Sequence, residues 1–185
     1  MTDKISPDEV RARWAYSELL SGGFNSVDGM ESVLQKFWER VPFGKLSQTE
    51  QNQLAHAWQE VRGVLRPAFD GIEAFQLTQW SQSDLAQVLV IPHFVLDIAS
   101  PSLAQSLLIP FGIWINAEPI RPLHQALARF AMYDLRPIGE VEPLTVGLRD
   151  QKATLLDGYH RAVRYWHRYS AEPTVTLPVF VPSNT

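Results

Sequence analysis

Thr154-Leu155-Leu156-Asp157-Gly158-Tyr159-His160-Arg161-Ala162-Val163-Arg164 is the stretch on which the reading of this chain turns. An apolar run ends on Asp-Gly, and a helical pattern begins at once with His and Arg in its first turn. A strand that stops on glycine and feeds a helix leaves the first-turn N–H groups without partners. The helix dipole adds partial positive charge at the same place, so the arrangement suits an anion. The planar fork of Arg161 can meet two phosphate or carboxylate oxygens at once. His160 can donate to an oxygen or move a proton near neutral pH. Asp157, at the strand end, can hold a metal ion, orient His160 or activate a hydroxyl. A plainer reading stands beside this one. Asp-Gly is an ordinary turn, Asp157 is a good N-cap, and Arg164 and Arg168 complement the dipole at the helix C-terminus.

Outward from this stretch, Leu144 to Leu148 reads as a strand, Arg149 to Lys152 as a polar hairpin turn, and Ala153 to Leu156 as the returning strand. The helix runs from Tyr159 to Tyr169. Tyr159, Ala162, Val163 and Trp166 make its apolar side, and His160, Arg164 and Arg168 a basic one. Thr174 to Val181 is a last strand, with Pro178 implying a sheet edge. Upstream, Pro119 and Pro122 exclude a helix interior, His124 to Tyr133 has helical spacing, and Leu135 to Pro143 is a loop.

The first third is helical and clearly punctuated. Ser6-Pro7-Asp8-Glu9 forms a capping box before a helix that runs to about Leu20 and stops at Gly22-Gly23. Met30, Val33, Leu34, Phe37, Trp38 and Val41 make the stripe of a second helix. Ser47-Gln48-Thr49-Glu50 caps a third, whose face is Leu54, Trp58, Val61 and Leu65. Trp14, Trp38 and Trp58 lie at helical spacing and are expected in the core rather than as ligand-stacking groups. His56 is expected at or near the surface. In the middle, Phe75 to Thr78 and Val88 to Ile91 suit strands, Ser100 to Leu108 a short helix, and Phe111 to Ile115 another strand.

The whole describes an α+β protein: helices over 1–75, a connecting α/β segment over 76–109, and a mixed sheet with flanking helices over 110–185. Of 185 residues, 45% are apolar, enough for a core. The formal net charge of −4 argues against DNA binding, which needs a broad basic surface. The absence of cysteine excludes disulfides, thiolate chemistry and Cys-ligated zinc. The start has no apolar run of signal-peptide length, and no run approaches a membrane span, so a cytoplasmic protein is expected.

The Leu-Leu-Asp-Gly-Tyr-His-Arg-Ala segment, with a Pro-Leu-Thr-Val strand and hairpin before it and Thr-Leu-Pro-Val-Phe-Val after it, resembles the ParB/sulfiredoxin superfamily. The match covers roughly residues 110–183, and Ile120-Arg121-Pro122-Leu123 looks like the opening of that domain. The resemblance implies a fold of that type and a motif that binds nucleotide phosphates. It puts Gly158, Tyr159, His160 and Arg161 at the phosphate motif and Arg121 near the nucleotide. ATP or CTP, with Mg²⁺, is the implied ligand. Tyr159 stands where sulfiredoxins have their nucleophilic cysteine, which excludes sulfinic-acid repair. No helix-turn-helix segment follows the motif, which argues against DNA partitioning.

Two functions remain. One is a nucleotide- or phosphate-binding protein, with phosphoryl transfer or hydrolysis served by Asp157 and His160, and Asp157 as the metal ligand. Glu118 and Glu142 are further carboxylates for that duty. The other is a non-enzymatic interaction or regulatory module whose pocket senses a nucleotide or is vestigial, with the helical region offering a surface to a protein partner. Nucleic-acid binding through Arg161, Arg164 and Arg168 ranks below both.

Overall fold

The computed structural model describes residues 4–20, 23–90, 108–116, 142–169 and 171–183. The chain is α+β, with a mixed sheet and flanking helices. It divides into two units, residues 1–76 with 182–185, and residues 77–181.

The first unit is mainly helical. Helix α1 (Pro7–Ser17) starts as its sequence dictates: Ser6 Oγ accepts from the Glu9 N–H at 3.1 Å, and proline follows the cap. The box is only half formed, because the Glu9 carboxylate turns to Arg13 instead, at 3.0 Å. The helix ends at Ser17 and continues as a turn to Leu20. Helix α2 (Glu31–Trp38) and helix α3 (Gln48–Arg62) follow. Trp14 and Trp58 are buried against each other, with ring centroids 5.4 Å apart, and Phe69 meets Trp58 edge-on. Trp38 departs from its expected place in the core: it is 66% exposed. It closes α2 about 80° around the helix from Met30 and about 140° from Val33, so the stripe has rotated away from the buried side by then.

Glu50 ties α2 to α3. The Ser47 capping box is complete here, and the buried carboxylate also accepts from Lys36 Nζ and Ser32 Oγ, each at 2.7 Å. These donors, Lys36 foremost, lower its pKa to about 2 against desolvation, which works the other way. A depressed carboxylate stabilises the fold above its unfolded pKa and loses that contribution as pH falls through the folded value. Glu50→Gln is therefore expected to cost about 2 kcal/mol at pH 7. In urea denaturation the gap between variant and parent should narrow between pH 4.5 and pH 2; a gap that is constant with pH would show that the charge is not what stabilises.

Strand β1 (Lys4–Ile5) precedes α1 and pairs antiparallel with β2 (Phe75–Trp80) through Phe75 and Gln76. The other strands are β3 (Leu89–Val90), β4 (Ile109–Pro110), β5 (Leu144–Arg149), β6 (Lys152–Asp157) and β7 (Leu177–Pro182). The sheet order is β1-β2-β7-β5-β6-β3-β4. The β5–β6 hairpin is antiparallel, while β7 beside β5 and β3 beside β6 are parallel. Asp150 and Gln151 turn the hairpin with φ of 49° and 60°, the left-handed conformation that a tight hairpin demands.

Strand β7 lies between β2 and β5, so Pro178 is not on an edge strand. Its registered pairs with β5 begin one residue later, at Val179, so on that side the proline lies beyond the ladder. Phe111 to Ile115 is also not a strand but the body of helix α5 (Phe111–Asn116). Phe111, Trp114 and Ile115 are its buried residues, at i, i+3 and i+4, and Ile113 points outward, so the period is helical. Gly112 lets this helix lie against α4 (Gln82–Gln87): a Cβ there would sit 3.0 Å from that of Ala86. Helix α4 has its own signal in Ser81-Gln82-Ser83-Asp84, a full capping box. The core of the second unit includes Val90, Phe111, Trp114, Leu144, Val146, Leu155, Val163 and Val179. The helices expected over Ser100–Leu108 (all but Leu108, which is not helical) and His124–Tyr133, the 135–143 loop except its last two residues, Pro119 and Pro122 lie outside the described residues, as do Glu118 and Arg121.

Candidate functional site

The site is the junction of β6 with helix α6 (Tyr159–Arg168). The β5–β6 register passes from Val146↔Leu155 to Thr145↔Asp157, so Leu156 is an extra residue in the strand. A bulge of this kind re-aims the side chains beyond it. Here Leu155, Leu156 and Asp157 are all buried in succession, and the carboxylate of Asp157 comes to lie at the helix start.

Gly158 is the N-cap residue, at φ 91° and ψ 24°, and as glycine it makes no side-chain cap bond. Glycine is required twice over. Its φ is left-handed, and a Cβ would overlap Leu144 Cδ2 while standing 3.1 Å from Nε and Nη2 of Arg161. Its carbonyl accepts from the Ala162 N–H at 2.8 Å and opens the helical ladder. Asp157 is therefore not the N-cap; its Oδ2 accepts from Arg161 Nη2 at 2.5 Å. Arg161 Nη1 donates to the carbonyls of Glu142 and Pro143, the latter at 3.1 Å. These bonds take three of the guanidinium's five N–H groups. Both partners of the pair are well covered, at 17% side-chain exposure for Arg161 and 5% for Asp157.

Tyr159 turns away from the helix start. Its phenol donates to the Leu155 carbonyl at 2.7 Å, and its ring lies edge-on to Trp114. His160 is exposed. The junction thus gathers Asp157, Gly158, His160 and Arg161, while Tyr159 is used to bind helix to strand.

The expected basic face of α6 is not continuous. Arg164 is only 4% exposed. Residues 162–165 are all buried, and four consecutive helical positions cover most of the circumference, so this turn is enclosed nearly all round. Arg161 is engaged by the strand ends, which leaves Arg168 as the exposed member of the three arginines considered for nucleic acid. Tyr165 donates to the Val175 carbonyl at 2.7 Å, and burial, with a smaller effect from Asp84, pushes its pKa up, so it remains a donor.

Among the described residues no three His, Asp or Glu side chains cluster as metal ligands. Asp157 has the Arg161 guanidinium at its carboxylate instead. Glu142 takes part through its backbone carbonyl. That carbonyl, the carbonyl of Pro143 and the methyl of Leu144 complete the junction. Backbone acceptors leave no mark in a residue pattern. Compared with protein-family models, with curated proteins and with solved structures, the chain finds no match.

Two substitutions test the geometry. Gly158→Ala is expected to cost about 2–4 kcal/mol, from left-handed strain together with the overlap on Leu144. Arg161→Lys is expected to cost about 1–3 kcal/mol, since a single ammonium nitrogen does not reach acceptors that Arg161 meets through two separate nitrogens. Urea denaturation measures both, and near-neutral values would show that the junction is not held as described.

Proposed function

We propose that this chain binds a nucleotide, or another phosphorylated small molecule, through a phosphate at the N-terminus of α6. The observation that carries the reading is the start of that helix. It has no side-chain cap, it begins on a glycine in the left-handed conformation, and a guanidinium stands over it. A helix start whose N-cap residue offers no side chain, with about half a positive charge from the dipole, favours an anion there. The motif's resemblance to the ParB/sulfiredoxin superfamily supports the same reading, with ATP or CTP as the ligand.

The charges refine it. Asp157 offsets the charge of Arg161, so the helix start favours a singly charged phosphate group over a dense polyanion. Mg²⁺, if it accompanies the nucleotide, is carried by the ligand's other phosphates in this reading. Arg161 acts first as a brace that sets the helix start, with its remaining N–H groups beside Gly158. In this reading His160, exposed in the first turn, is the side chain that reaches a bound phosphate. The proposal is for binding; phosphoryl transfer and hydrolysis are secondary to it, because Asp157 is paired with Arg161 rather than presented as a base.

One observation favours a second reading, an interaction or regulatory module with a vestigial pocket: most of the Arg161 fork is spent on protein acceptors. Thermal unfolding with ATP, CTP, GTP or ADP in the presence of Mg²⁺ separates the two. A nucleotide at a hundred times its Kd adds about 2.7 kcal/mol, which is roughly 5–10 °C in Tm for a chain of this size. At least one nucleotide is expected to raise Tm, and Arg161→Ala to remove the shift. No shift with any nucleotide would favour the module.

A further inference from the structure

We draw no further inference here: the strongest candidate, the exposed apolar surface around Trp38 at the C-terminal end of α2, is an unpartnered apolar face, and nothing in the structure shows what covers it.

Discussion

The guanidinium of Arg161 stands where three pieces of backbone meet: the approach to β5 at Glu142 and Pro143, the end of β6 at Asp157, and the first turn of α6. A planar cation with N–H groups on separate nitrogens meets a carboxylate with one and two carbonyls with another, a span that the single nitrogen of a lysine lacks. The pair is largely withdrawn from water, so it does not stabilise as a loose surface bridge would. Removing one partner strands the other's charge, at a cost of about 3–5 kcal/mol for a buried pair. The other features of the junction follow from this placement. The strand needs its bulge at Leu156 to bring Asp157 round, and the residue between strand and helix needs to be glycine so that Arg161 and Leu144 can close over it.

Much of this architecture is written in local chemistry. Ser6, Ser47 and Gly158 mark helix starts by mechanisms that act within a few residues, and the 144–157 hairpin shows strand patterning on both sides of a polar turn. What could not be read depends on partners distant in sequence. Phe111 to Ile115 is short and apolar throughout, so its composition suits a strand as well as a helix. Its period was nonetheless present in Phe111, Trp114 and Ile115. Pro178 argues for an edge only if the whole strand is paired, and here the pairs with β5 begin beyond it. Trp38 and Arg164 failed in opposite directions. The hydrophobic stripe of α2 rotates off its buried side before the helix ends, and the basic stripe of α6 passes through an enclosed turn.

The same distinction applies to the site. That Asp157, Gly158, His160 and Arg161 meet at one junction was legible because a strand end, a glycine and a helix start are adjacent in sequence. Their division of labour was not, because it rests on the carbonyls of Glu142 and Pro143 and on where the bulge sends a carboxylate. An arginine that spacing alone assigns to a ligand is, in the folded chain, first a structural brace. In the proposed reading, the anion-favouring element is then the helix start itself, which that brace holds in place.

The most direct measurement is an amide chemical-shift titration of the isotopically labelled protein with Mg²⁺ and each nucleotide in turn. If a phosphate binds at the start of α6, the largest changes fall on the N–H groups of Gly158, Tyr159, His160 and Arg161, and they saturate with nucleotide concentration. If those amides stay unmoved at saturating nucleotide, or the changes gather elsewhere, the site is not at this junction.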